Sequence, residues 1–163
     1  MPTKTDTKQM ETIKVGDRFR DFTLKDQNDK DFKHSGQAGK RVLLSLHPLA
    51  WTSVCAEQMK SLEANKKNFD ALNTIAVGLS VDSVHTKKAW ADSLGIVEIR
   101  ILADFWPHGG VAALYGLFRE AEGHSQRANV LIDENGKVVF VKIYELKQLP
   151  PIDEVIEAIK KLG

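Results

Sequence analysis

Short apolar runs alternate with amphipathic stretches from about residue 41 onward, and this alternation constrains the chain most, because it admits little other than helices packed on a central sheet. Val42-Leu43-Leu44-Ser45-Leu46 has the length and apolarity of a strand covered on both faces, and His47-Pro48 ends it, since proline cannot donate to a ladder. After a loop, Thr52 or Ser53 can cap a helix whose apolar positions Met59, Leu62, Phe69 and Leu72 recur at helical spacing. Ile75 to Val81 reads as a second buried strand, and Ser83 opens a helix through Trp90 and Leu94 that Gly95 ends. Ile99 to Leu102 is a short strand, and Gly109 to Leu114 has helical character up to Gly116. Val130-Leu131-Ile132 and Val138 to Val141 flank the turn formers Asp133-Glu134-Asn135-Gly136, which predicts a β-hairpin. Ile152, Val155, Ile156, Ile159 and Leu162 trace one stripe of a last helix, with Pro151 near its first turn and Asp153 and Glu154 complementing its dipole.

Two βα units, a hairpin and a closing helix follow the plan of a thioredoxin-like α/β fold, a central mixed sheet flanked by helices. The length of 163 residues suits a single domain over 1–163. Met1 to Lys14 is polar and charged and reads as a loosely held arm; without an apolar stretch typical of a secretory signal, the expected location is the cytoplasm. No apolar run approaches the roughly 20 residues of a membrane helix. A formal charge of +1, from 23 basic and 22 acidic side chains spread along the chain, gives no field able to gather nucleic acid or anionic lipid. The pairs Lys66-Lys67, Lys87-Lys88 and Lys160-Lys161 read as solvated helix faces.

Cys55 is the only cysteine. It can form no internal disulfide, and without a second cysteine or a histidine cluster at ligand spacing it supports no structural zinc site. Its place is the first turn of the helix after the first buried strand, where unpaired backbone N–H groups and the macrodipole favour an anion. The thiolate is the nucleophile, and a reference pKa of about 8.5 leaves little of it at neutral pH unless the surroundings favour the charge. A lone intracellular cysteine is commonly an inert, buried small hydrophobe. The strand-loop-helix junction argues instead for a reactive one.

The segment His47-Pro48-Leu49-Ala50-Trp51-Thr52-Ser53-Val54-Cys55 resembles the peroxiredoxin signature of the AhpC/TSA family: proline, three residues, threonine, two residues, cysteine. Gln126-Arg127-Ala128-Asn129-Val130-Leu131-Ile132-Asp133 is similar to the family's arginine-bearing strand before the hairpin turn, whereas Arg41, Arg100 and Arg119 have no such context. Asp104-Phe105-Trp106-Pro107-His108-Gly109-Gly110-Val111, followed by Leu114-Tyr115-Gly116, resembles the AhpE-like one-cysteine subgroup, and the likeness runs from roughly Val15 to Gly163.

The resemblance implies a thioredoxin-like fold and a thiol-dependent peroxidase that needs no metal or organic cofactor. It implies that Pro48 shields the thiolate, that the Thr52 hydroxyl binds thiolate and peroxide, that Cys55 attacks the O–O bond, and that Arg127 holds the thiolate and peroxide oxygens. Hydrogen peroxide and organic hydroperoxides are the expected substrates. An external thiol, whether thioredoxin, a glutaredoxin-like protein or a small thiol, must then reduce the sulfenic acid. A homodimer is expected by the same resemblance, with Phe105, Trp106 and Tyr115 in core or dimer packing. The alternative is a peroxide sensor in which Cys55 oxidation alters partner binding. Three residues depart from many relatives: His47 stands where an aromatic is common, Ser53 where proline is, and Gln58 where glutamate is. They bear on the fine placement of Arg127 and on rate. His47 could act as a proton donor, although a satisfied loop histidine is the simpler expectation.

Overall fold

A computed structural model of the chain describes residues 9–163. Strands β1 (Thr23–Lys25) and β2 (Asp31–Lys33) form a hairpin ahead of a 3-10 turn at His34–Gln37. There follow β3 (Arg41–Leu46), α1 (Ser53–Ala64), α2 (Lys66–Ala71), β4 (Thr74–Ser80), α3 (Val84–Leu94), β5 (Arg100–Ala103) and α4 (Gly110–Leu114). A small ladder, β6 (Phe118–Arg119) with β7 (His124–Ser125), precedes β8 (Arg127–Ile132), β9 (Val138–Tyr144) and α5 (Ile152–Lys160). The main sheet runs β2-β1-β5-β4-β3-β8-β9. Strands β3, β4 and β5 are parallel, and β8, β9 and β1 join antiparallel. This is the mixed sheet of a thioredoxin-like fold.

The period-2 geometry of β3 sorts its side chains into two cores. Val42, Leu44 and Leu46 enter one with Phe22, Val77, Leu79, Leu102 and Tyr115. Leu43 enters the other, where it meets α1, α3 and α5 through Cys55, Met59, Leu62, Trp90 and Val155. By the same alternation Ser45 and His47 face this second, helix-covered layer.

The expected hairpin, the Ser83 cap and the left-handed Gly95 terminus are all present. Three expectations change. The helix after the loop is broken at Asn65, whose side-chain amide donates to the Ser61 carbonyl at 2.8 Å and accepts from the Asn68 amide at 2.9 Å; such local bonding competes with helix propagation. Thr52 occupies the N-cap of α1, yet its hydroxyl donates to the Leu49 carbonyl at 2.7 Å, so no side chain caps the helix. Of the loosely held arm expected over 1–14, residues 1–8 lie outside the described residues, and Gln9 to Lys14 is tied down. Met10 N–H donates to Ala113 O and Ile13 N–H to Tyr115 O, both at 3.0 Å, and Ile13 is buried.

Candidate active site

The loop from Pro48 to Thr52 carries the chain from the centre of the sheet into α1. It is pinned by Asp82, which accepts from the Ala50 N–H at 2.8 Å and from the Ser80 hydroxyl at 2.6 Å. Trp51 takes a left-handed backbone conformation at φ +67°, uncommon for an aromatic residue, and its side chain is exposed. Pro48 is buried and Thr52 exposed, so the loop presents the threonine outward and tucks the proline in. Cys55 lies in the first turn of α1 with 0% of its surface exposed. Because the Thr52 hydroxyl is engaged elsewhere, the first-turn N–H groups of α1 have no capping oxygen and remain available to an anion.

Arg127, the first residue of β8, is buried. Its Nε and Nη2 donate to the Leu146 carbonyl at 3.0 and 2.8 Å, and its Nη1 donates to Gln58 Oε1 at 2.6 Å. Gln58 in turn donates to Ser45 Oγ at 2.8 Å and to the Leu46 carbonyl at 3.1 Å. Cys55 and Gln58 stand three apart on α1 and so share a face, which brings the guanidinium to the cysteine's side of the helix. Some guanidinium N–H groups are left over for an incoming oxygen. No hydrogen bond reaches Cys55 Sγ among the described residues. Arg41, Arg100 and Arg119 are instead occupied by Glu134, Asp26 and Glu122 at 2.7, 2.8 and 2.7 Å.

Two residues overturn expectations. Lys88 is exposed and bonded to Asp92, as a solvated face requires, but Lys87 has 0% exposure. Positions 87, 90, 91 and 94 form the inward stripe of α3, so Lys87 follows Trp90 and Ala91 into the core. There its Nζ lies 2.9 Å from His47 Nε2 and 5.6 Å from the Trp90 ring centre. His47 begins the loop after β3, as expected, but it is fully buried, it packs on Trp90 at 5.3 Å, and its Nδ1 has no hydrogen-bond partner among the described residues. Burial, reinforced by the Lys87 and Arg127 charges, holds His47 well below the usual imidazole range, so it is neutral. Burial also pulls Lys87 down to about 7, against the opposing pull of Asp82, Cys55 and Asp104.

Of the aromatic residues expected in core or dimer packing, Tyr115 is buried and its hydroxyl donates to the Arg20 carbonyl at 2.7 Å. Phe105 and Trp106 are exposed.

A thioredoxin-like fold with one buried cysteine in the first turn of a helix, under an arginine from the neighbouring strand, defines a thiol-based redox protein. The AhpC/TSA family model matches residues 15–141. Alkyl hydroperoxide reductase E of Mycobacterium tuberculosis is 36% identical over 137 residues, covering 83% of this chain and 87% of that protein. Peroxiredoxin 2 of Thermoplasma acidophilum is 33% identical over 153 residues, covering 91% and 75%. Among solved structures, the reduced 2-Cys peroxiredoxin of Plasmodium vivax superposes with a TM-score of 0.83 at 27% identity, covering 91% of this chain and 81% of that one. Peroxidoxin BcpB of M. tuberculosis does so at 0.82 and 25%, covering 93% and 99%. The chain belongs to the AhpC/TSA family and is a peroxiredoxin of the AhpE-like, one-cysteine type.

Proposed function

We propose that Cys55 reduces hydrogen peroxide and organic hydroperoxides in a one-cysteine cycle. The Cys55 thiolate attacks the peroxide along the O–O axis; the S–O bond forms, the O–O bond breaks, and an alkoxide or hydroxide leaves and takes up a proton as alcohol or water. Sulfur is oxidised to the sulfenic acid. Arg127 and the open N–H groups of the α1 first turn stabilise the charge that moves from sulfur to the leaving oxygen. The Thr52 hydroxyl, whose proton goes to the Leu49 carbonyl, accepts a hydrogen bond from the peroxide at the mouth of the site, and Pro48 screens the sulfur from bulk water. The observation that carries this reading is Cys55 in the uncapped first turn of α1, with Arg127 held to the same face by Gln58. The alkyl hydroperoxide reductase name of a relative supports organic hydroperoxides as substrates.

Since Cys55 is the only cysteine, the sulfenic acid is resolved by a thiol from outside the chain. A small thiol, a glutaredoxin-like protein or thioredoxin fits that role equally. The exposed pair Phe105 and Trp106 supports a homodimer formed through this side of the molecule.

Peroxide consumption measured with excess dithiothreitol, a thioredoxin system or a glutaredoxin–glutathione system tests the cycle. At least one of these should sustain many turnovers per Cys55. Consumption that stops at one equivalent with all three would identify a sensor rather than a peroxidase.

A further inference from the structure

The end of the sheet opposite Cys55 carries a cleft of about 170 Å³, set between the 3-10 turn at His34–Gln37, the segment Arg18-Phe19 and the β8-β9 turn. Val42 of β3 and Ile132 of β8, paired in register, line it from the sheet. Cys55 follows the far end of β3, and the rise from Val42 to Leu46 puts roughly 13 Å of strand between the two places. The cleft shares no residue with the site at Cys55.

Its walls are fixed by the fold. Phe19 N–H donates to Gly136 O and Val138 N–H to Asp17 O, both at 2.8 Å, which ties the Arg18-Phe19 segment to the hairpin. A Cβ on Gly136, at φ +82°, would meet the Phe19 ring at 2.8 Å and stand 3.3 Å from Arg18 Nη2, so the turn runs directly against ring and guanidinium. On the other side, His34 N–H donates to Phe22 O at 3.0 Å and Ser35 N–H to Asp21 Oδ1 at 2.9 Å. The Phe19 and His34 rings lie 4.5 Å apart and form one aromatic wall, with the Arg18 guanidinium 6.0 Å from the Phe19 ring centre.

The polar groups of the lining are unevenly satisfied. Arg18 and Lys40 are exposed and form no ion pair among the described residues. Of the two carboxylates, Glu134 is neutralised by Arg41 at 2.7 Å, and Asp133 accepts the Asn135 and Lys137 N–H groups of its own turn at 2.9 Å each. Two cations thus face one carboxylate, and the balance favours an anion. His34 is 4% exposed, and its Nδ1 is the one buried side-chain polar atom of the lining without a hydrogen-bond partner among the described residues. Such an atom has lost water and gained nothing in return. Burial, against the pull of Asp21, takes His34 down to about 4, so the imidazole is neutral and offers hydrogen bonding rather than charge.

We propose that this cleft binds a small aromatic carboxylate, its ring against Phe19 and His34 and its carboxylate on Arg18 and Lys40. The size fits, since an apolar cavity of about 150 Å³ accepts benzene. A guanidinium beside an aromatic wall suits the ligand twice, through paired N–H donors for the carboxylate and a ring for the ring.

The probe is nicotinate, with its neutral isostere nicotinamide beside it, titrated into the reduced, isotope-labelled protein and followed by amide NMR. Nicotinate should give saturable shifts at Ser35, Gln37 and Gly136, with an affinity at least about tenfold above that of nicotinamide. Arg18→Gln combined with Lys40→Gln changes two exposed side chains and should weaken nicotinate about tenfold while leaving nicotinamide unchanged. Absence of saturable shifts at these amides, equal affinity for acid and amide, shifts gathered at Thr52 and Cys55 instead, or undiminished nicotinate binding by the double variant would overturn the proposal. No readout involves peroxide, so the result stands apart from the chemistry at Cys55.

Discussion

Arg127→Gln should lower the second-order rate constant for peroxide reduction by about 10²- to 10³-fold, the usual effect of removing a donor aimed at charge that develops in a transition state. The guanidinium is well placed for this role because its position is fixed from two directions. Leu146 O receives two of its N–H groups and Gln58 Oε1 a third, so its direction is set before substrate arrives. In this chain the anchor on α1 is a neutral amide, and the arginine charge is therefore not cancelled by a carboxylate at that contact. Glutamine can satisfy one of these partners but not both, and it carries no charge to the leaving oxygen. Loss of a buried hydrogen bond to Leu146 O should cost about 1–3 kcal/mol of stability, enough to lower the melting temperature without unfolding the domain. Alkylation of Cys55 by a neutral reagent should fall much less than peroxide reduction, because only the peroxide step releases an oxyanion beside Arg127. A rate constant for Arg127→Gln within threefold of the unchanged protein would remove Arg127 from the mechanism.

Excess hydroperoxide in the absence of thiol should inactivate the enzyme completely and irreversibly. The sulfenic acid formed in the first reaction has no second cysteine to condense with, so it persists in the pocket and remains open to a second oxidation. Mass spectrometry should find two added oxygens on the Cys55 peptide, and later addition of dithiothreitol should restore no activity. When the same thiol is present from the start, capture of the sulfenic acid competes with the second oxidation and most activity should survive. Full recovery by thiol added after the excess peroxide would show that the sulfenic acid is protected inside the fold, contrary to this account.

The central architecture was legible because β3 is an apolar run ended by His47-Pro48 and because β8 and β9 flank an unmistakable turn at Asp133 to Gly136. The signature spacing likewise pointed to Cys55. What escaped is polar side chains on inward faces. Lys87 reads as half of a solvated lysine pair, although it opens the 87, 90, 91, 94 stripe that buries α3. The sequence ties Gln58 to the placement of Arg127 but does not reveal its burial on the 55, 58, 59 and 62 stripe of α1. His47 continues the alternation of Leu43 and Ser45 into the helix-covered layer. Of the three, only Lys87 reads as solvent-facing by its chemistry, because hydrophobicity marks a stripe through its apolar members alone. Periodicity places such residues inside, and the hydrogen bonds of Gln58 to Ser45 and Arg127, and of Lys87 to His47, show how burial is tolerated. The helix break at Asn65 was hidden for the opposite reason: apolar spacing runs through it, while the asparagine side chain bonds to the backbone it interrupts.

The most direct test of the peroxidase account is stopped-flow tryptophan fluorescence of the reduced protein mixed with hydrogen peroxide or an alkyl hydroperoxide, with Cys55→Ser alongside. Trp51, in the loop that leads into α1, should report the change at sulfur. The account predicts a single second-order change that is faster than the reaction of free cysteine by several orders of magnitude and absent from Cys55→Ser. A reaction no faster than that of free cysteine, or one that survives in Cys55→Ser, would contradict it.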